Sequence, residues 1–272
     1  MLARAGIETC RLEAEAMLAE AVGTTRAAVV AGLVPIDAPA REWYMSMVKW
    51  RARREPLAYI LGRKEFYSLE FEVSPAVLVP RPETEAVVDA ALEVAALRPN
   101  VRLLDIGTGS GAIALAVAAN ASQVEGVATD NSSAALRVAE GNAMRLGVAG
   151  RVELRLADCF EARDGGDPVG RFDVIVSNPP YVPDSEIDQL EPEISLYEPR
   201  CALAGGADGL AFYRRVAAGL NSHLRHDGVA ILEIGMNQSA AVGDILRRHG
   251  AVKVAVAADL AGLPRVVIAH FG

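Results

Sequence analysis

The chain has 272 residues, 51% of them apolar but only 5% aromatic, which allows a large, mainly aliphatic core in one large domain or two. Its formal charge of −8 resides in residues 81–272, since residues 1–80 carry 10 basic and 10 acidic side chains; such an acidic half is a poor non-specific nucleic-acid binder. There is no run of about 18 uncharged apolar residues to span a membrane, and the start of the chain, with Arg4, Glu8, Arg11, Glu13, Glu15 and Glu20, is no secretory signal. Cys10, Cys159 and Cys201 are too scattered for a disulfide framework or a zinc site, which fits a reducing cytoplasm.

Residues 8–62 read as helices: Leu12, Ala16, Leu18 and Ala19 share one face, and Trp43, Met47 and Trp50 recur at three to four. From Lys49 to Lys64, the bases Lys49, Arg51, Arg53, Arg54, Arg63 and Lys64 stand against a single acid, Glu55. This cluster reads as a solvated helix face or as a contact surface for a phosphate or an acidic partner. Leu69, Phe71 and Val73 then alternate with Glu70 and Glu72, which predicts a strand and a hairpin turning near Tyr67 and Ser68. Pro75, Pro80 and Pro82 follow, so the domain boundary is expected at about residue 75, with a helical domain and hairpin linker over 1–75 and a second domain over 76–272. That second part alternates strands (101–106, 124–129, 152–156, 172–176, 229–234, 252–256, 265–269) with helices (112–119, 133–146, 210–224, 240–249). The alternation predicts an α/β fold with a mostly parallel sheet covered on both faces, whose ligands bind beyond the carboxyl ends of the strands.

The informative residues follow those strand ends. After Leu104-Asp105-Ile106 the chain runs Gly107-Thr108-Gly109-Ser110-Gly111-Ala112 into a helix, a loop that lets backbone approach a ligand closely. Asp105 would repel a pyrophosphate but stabilise a sulfonium or an ammonium, which favours S-adenosylmethionine over a dinucleotide. Asp130, ending the second strand, suits the two hydroxyls of a ribose, or else caps the helix that begins near Ser132. At the third strand end Asp158 can accept adenine amino protons and Phe160 can lie on the ring; the plain alternative is a loop acid and a core aromatic.

The fourth strand ends at Ser177 and is followed by Asn178-Pro179-Pro180-Tyr181. A planar amide or amine nitrogen is a poor nucleophile because its lone pair is delocalised. Two acceptors, the Asn178 side-chain oxygen and the Pro179 carbonyl, can hold its two protons and turn the lone pair toward a methyl group. Prolines stiffen the loop, and Tyr181 can stack on a flat group. The alternative is a structural turn. His223 and His226 lack a companion ligand and read as exposed histidines, so no metal is expected.

With these residues in place the chain resembles the HemK/PrmC family of release-factor glutamine N5-methyltransferases. The likeness spans nearly all of it, including Leu78-Val79-Pro80-Arg81-Pro82-Glu83-Thr84-Glu85, Asp105 to Ala116, Ser177 to Tyr181, Tyr197-Glu198-Pro199-Arg200, Gly205 to Leu210 and Glu233-Ile234-Gly235. The resemblance implies a seven-stranded, Rossmann-like class I methyltransferase domain behind a helical bundle that recognises substrate. It implies S-adenosylmethionine lined by Gly107, Gly109, Asp130, Asp158 and Asn178, and Asp105, Thr108, Gly111, Cys159 and Phe160 at the same strand ends complete the expected cofactor site. Asn178, Pro179, Pro180 and Tyr181 would hold the glutamine of a Gly-Gly-Gln motif in class 1 peptide chain release factors. Cys159 stands where family members often carry a large apolar residue. A cytoplasmic monomer with no nucleic-acid substrate is expected. Methylation of adenine in nucleic acid, of a ribosomal protein glutamine, or a non-enzymatic adenosine-binding module are the competing readings.

Overall fold

Helical periodicity stops at Gly62, whose left-handed backbone (φ 71°) ends the fourth helix. In a computed structural model, which describes residues 1–162, 170–259 and 261–272, four helices precede this point: α1 (Cys10–Ala21), α2 (Arg26–Val30), α3 (Ala38–Ala52) and α4 (Leu57–Leu61). Thr25 and Asp37 cap α2 and α3 by accepting the amides of Ala28 and Ala40. Leu2, Ile7, Met17, Met47, Val48 and Ile60 form the small core of this unit.

A hairpin follows, β1 (Arg63–Phe66) and β2 (Leu69–Glu72), turning at Tyr67 and Ser68 as expected; both have positive φ (53° and 58°), as a two-residue turn with the right twist requires. The hairpin packs with what comes after it. Phe66 and Phe71 meet edge to face at 5.9 Å and are buried in the core of the sheet domain, while Asn142 receives the Glu72 amide at 2.7 Å. The compact units therefore divide between Arg63 and Lys64, earlier than the position near residue 75 that the prolines suggested.

The rest runs α5 (Glu85–Ala96), β3 (Val101–Ile106), α6 (Ala112–Asn120), β4 (Val124–Asp130), α7 (Ser133–Arg145), β5 (Val152–Asp158), β6 (Glu161–Ala162), β7 (Phe172–Ser177), α8 (Pro192–Tyr197), α9 (Ala211–His223), β8 (Leu224–Glu233), α10 (Ser239–Arg248), β9 (Ala251–Ala258) and β10 (Pro264–Phe271). The strands form one sheet in the order β6-β5-β4-β3-β7-β8-β10-β9. Seven are full strands and β6 is a two-residue edge piece. β3, β4, β5, β7 and β8 are parallel, and β10 runs antiparallel to both its neighbours.

Alternation along each strand sorts residues onto two faces. Leu103, Val174 and Ile231 face the core shared with α5 and α6. Leu104, Ile175 and Leu232 face the core built with α9 and α10, where Tyr213, Leu220 and Leu246 are fully buried. The expected architecture is present. The unexpected element is α5: its stripe of Val87, Val88, Ala91 and Ala95 is made of small residues, and the prolines before it read as an extended linker.

The segment Leu190–Tyr197, with α8, belongs to the helical unit although it lies far along the chain. Its Glu193 meets the basic cluster. Arg51 Nη1 donates to Glu193 Oε1 at 2.8 Å and Arg51 Nε to Glu13 Oε2 at 2.5 Å. Arg54 Nε donates to Glu193 Oε1, and its Nη2 lies 2.6 Å from Glu193 Oε2, an ion-pair contact without hydrogen-bond alignment. Arg51 is only 6% exposed. The basic cluster is thus split: Arg51 is buried and Arg54 half-buried against Glu193, while Lys49, Arg53 and Arg63 keep the exposure expected of a solvated face. No described helix is long and apolar enough to cross a membrane.

Candidate active site

The carboxyl ends of β3, β4, β5 and β7 converge on a cavity of about 360 Å3. Gly107, Thr108, Gly109, Asp130, Asp158, Cys159, Asn178 and Pro180 line it together. Gly107 and Gly109 take left-handed conformations (φ 72° and 57°), and a Cβ built on either would meet nothing within 4 Å, so the loop leaves open space where side chains would otherwise stand. The Gly107 and Thr108 amides donate to the Thr129 carbonyl at 2.8 and 2.9 Å, which pins this loop to the end of β4.

Asp130 accepts the Gly109 amide and the Ser132 amide, each at 2.9 Å. Ser132, not Asp130, caps α7 through the Ala135 amide. Burial raises the Asp130 carboxyl above its ordinary range, against the pull of those amides. Asp105 does not line the cavity. It is fully buried beneath the loop, with Oδ2 accepting from the Thr108 hydroxyl (2.7 Å) and the Ala114 amide (3.3 Å), and with Oδ1 left without a hydrogen-bond partner. Burial pushes its pKa up to about 7. Gly111 is likewise outside the lining and serves as the left-handed cap of α6.

Asp158 pairs with Arg215 of α9 at 2.7 Å. Cys159 has a positive φ of 55°, which turns the chain away from the direction set by Asp158. Phe160 in consequence leaves the cavity wall and stacks on His223, with ring centroids 4.2 Å apart. The aromatic that does line the cavity is Phe212, with the Arg215 guanidinium 5.8 Å from its ring centroid. Burial raises the Cys159 thiol to about 11, so it is no thiolate at neutral pH. His223 Nδ1 sits 2.9 Å from the Gly219 carbonyl, and the described residues hold no cluster of groups able to bind a metal.

Asn178 follows β7 at the cavity edge. Its Nδ2 donates to the Thr84 hydroxyl at 3.1 Å, and Thr84 Oγ1 donates to Glu233 Oε2 at 2.6 Å. Glu233 ends β8, the strand paired with β7, and is 1% exposed. Pro179 and Tyr181 do not line the cavity. Tyr181 lies behind it: its hydroxyl is 3.5 Å from Glu233 Oε1, its carbonyl accepts from Gln238 Nε2 at 3.0 Å, and burial raises the hydroxyl to about 12. The loop that follows returns through a bridge between Val182 and Ala204, and Arg81 pairs with the buried Glu198 at 2.5 Å, so Pro199, Cys201 and Ala202 are held at the cavity wall.

The model of the PrmC N-terminal domain matches residues 1–62, and that of the methyltransferase small domain matches residues 87–193. A release factor glutamine methyltransferase of Cereibacter sphaeroides is 42% identical over 272 residues, covering 99% of this chain and 94% of its own. This chain belongs to the release factor glutamine methyltransferase family. Another member, from Geobacter sulfurreducens, is 40% identical over 274 residues and covers 100% of this chain and 93% of its own. Among solved structures, a methyltransferase from Pyrococcus furiosus aligns with TM-score 0.55 at 21% identity, over 84% of this chain and 98% of its own. The hMettl16 catalytic domain aligns with TM-score 0.60 at 15% identity, over 88% and 84%. At those identities the likeness is one of fold, and it establishes the class I methyltransferase architecture.

For this family member, sequence reading found the residues that are contiguous and sit at strand ends. It missed Thr84, Glu233, Phe212 and Arg215. Thr84 and Glu233 lie 149 residues apart, and only the sheet brings them together. Both stood inside segments that carried the resemblance, which was the available signal.

Proposed function

We propose that the chain transfers the methyl group of S-adenosylmethionine to the side-chain amide nitrogen of the glutamine in the Gly-Gly-Gln motif of class 1 peptide chain release factors. The observation that carries this is Asn178 at the cavity edge with its amide nitrogen already engaged by Thr84, which leaves Oδ1 as an acceptor. When bound, S-adenosylmethionine supplies an electrophilic methyl carbon on a sulfonium.

The residues present fit that group. The open glycine loop accommodates it without side-chain conflict. Asp130 keeps carboxylate lone pairs for ribose hydroxyls beyond the two amides it accepts. Asp158 and Phe212 offer an acceptor and a ring for adenine. The unpartnered Oδ1 of Asp105 lies in the layer just beneath, where a cationic ligand relieves the cost of a buried carboxylate. Asn178 Oδ1 and the Pro179 carbonyl hold the two N–H protons of the glutamine amide. That fixes the plane of the amide and aligns its nitrogen, and the rate gain is chiefly one of orientation. Tyr181 backs the loop. The first unit, with the matched N-terminal domain, supplies contacts to the larger body of the protein substrate, acting in the cytoplasm where release factors work.

Purified enzyme, labelled cofactor, a release factor and a DNA duplex in one assay test this reading. One methyl on the Gly-Gly-Gln glutamine, seen by mass spectrometry, is expected. Label on adenine with none on the release factor would replace it with the nucleic-acid reading.

A further inference from the structure

Three polar side chains from separate parts of the sheet domain form a directed chain of hydrogen bonds. Glu233 is buried at the end of β8, Thr84 ends a short 3-10 helix, Pro82–Thr84, and Asn178 follows β7. An ionised carboxylate can only accept. The Thr84 hydroxyl has one proton, and it goes to Glu233 Oε2 at 2.6 Å. Thr84 Oγ1 is then left as an acceptor, and only the amino end of Asn178 satisfies it, at 3.1 Å. Turning the Asn178 amide over would set oxygen against oxygen with no proton between them, in a place where an unmet polar contact is costly. The same carboxylate faces the Tyr181 hydroxyl through its other oxygen, at 3.5 Å. One buried acid therefore reaches both polar ends of the Asn178–Tyr181 loop, Tyr181 directly and Asn178 through Thr84.

We infer that Glu233, acting through Thr84, is the positioning residue that sets which way the Asn178 amide points and so keeps Oδ1 turned to the cavity as an acceptor for the substrate N–H. This rests on the methyl-transfer reading above and adds to it the residue pair that gives Asn178 its polarity. It also accounts for a charged side chain in the second core, next to Tyr213, whose hydroxyl donates to the Glu233 carbonyl at 2.8 Å. An apolar residue at 233 would pack, but it would leave Thr84 free to donate to Asn178 and the amide free to present its amino group to the substrate's NH2 end, which offers protons and no acceptor.

The test compares full-length Thr84→Val, Thr84→Ser, Glu233→Leu and Glu233→Gln for kcat and KM on intact release factor, cofactor Kd by calorimetry, and Tm. Thr84→Val and Glu233→Leu should each lower kcat by about tenfold or more, the loss of one orienting hydrogen bond, with cofactor Kd changed less than about threefold. Thr84→Ser should recover most of the rate. Glu233→Gln should do the same, because its carbonyl can accept from Thr84 while its amino group faces the Tyr181 hydroxyl. If Thr84→Val does not fold, Thr84→Ala removes the same hydroxyl without adding a methyl group. Wild-type kcat in a folded variant lacking the Thr84 hydroxyl, or a loss in Glu233→Gln as deep as in Glu233→Leu, overturns the inference. Wild-type protein inactive on release factor instead overturns the function on which it rests.

Discussion

Both compact units bury arginine-paired carboxylates, Glu13 in one and Glu198 and Asp173 in the other, but the sheet domain also buries two acids of a different kind. In the helical unit, Glu13, Arg51, Arg54 and Glu193 neutralise one another. Burial alone would raise the Glu193 carboxyl, but the hydrogen bonds from Arg54 and Arg51 outweigh it and hold the group below its ordinary range. In the sheet domain Asp105 and Glu233 are buried with hydroxyls and amides for partners and no arginine or lysine in contact, and burial pushes both up to about 7. The first arrangement is a structural clasp, complete as it stands. The second is a pair of acids held at a cost beside a cavity, the condition expected where a ligand or an oriented dipole is to be served.

The largest way to break the comparison is to open the clasp. Arg51→Ala takes the arginine from buried Glu13 and leaves Glu193 to Arg54 alone, and removing one partner of a buried pair costs about 3–5 kcal/mol. The helical unit should lose its cooperative unfolding transition in urea, followed by circular dichroism. A transition at the wild-type midpoint would show that the cluster contributes nothing.

The sheet acids give the next effect, and its sign is opposite to that of Glu193. A carboxyl whose folded pKa is raised costs nothing below its unfolded value, 4.5 for Glu233. The cost grows as pH rises toward about 7, then levels off. Glu233→Gln removes the titration, so its stability relative to wild type should rise between pH 4.5 and 7.5 by as much as about 3 kcal/mol. A difference independent of pH would mean that Glu233 is not held above its ordinary range. Glu193, with its pKa lowered, contributes stability that is lost as pH falls instead.

Asp130 sharpens the contrast within the sheet domain, because it faces the cavity. Asp130→Ala removes charge-assisted acceptors worth about 1.5–3 kcal/mol and should weaken cofactor binding by roughly tenfold or more in calorimetry. The smallest effect belongs to Arg53, which is exposed beside the clasp: Arg53→Ala should shift stability by no more than about 0.5 kcal/mol. A larger loss would extend the clasp beyond Arg51 and Arg54.

What was legible in the sequence follows from range. The glycine loop, Asp130 and Asn178–Tyr181 each declare themselves within a few residues, and the sheet was readable because parallel strands are short apolar runs between helical stretches. Arg51 and Arg54 were not readable, since the counterions of Arg51 stand 38 residues earlier and 142 residues later in sequence, and only folding shows the pairing. Phe160 failed for a local reason: one left-handed residue, Cys159, reversed the direction that its neighbour Asp158 suggested. Thr84 and Glu233 failed for the opposite reason, as each is unremarkable alone and acts only through a contact spanning 149 residues.

The discontinuity of the helical unit bears on how the protein is made. Its last segment, Leu190–Tyr197, is synthesised long after its four helices, and Arg51 waits 142 residues for Glu193. At about 5–20 residues per second that delay is on the order of ten seconds, during which the nascent helices lack the Glu193 carboxylate that pairs with Arg51 and Arg54. Leu190–Tyr197 leaves the ribosome only after β7, so the Arg51 and Arg54 pairs with Glu193 form after much of the sheet domain has been made.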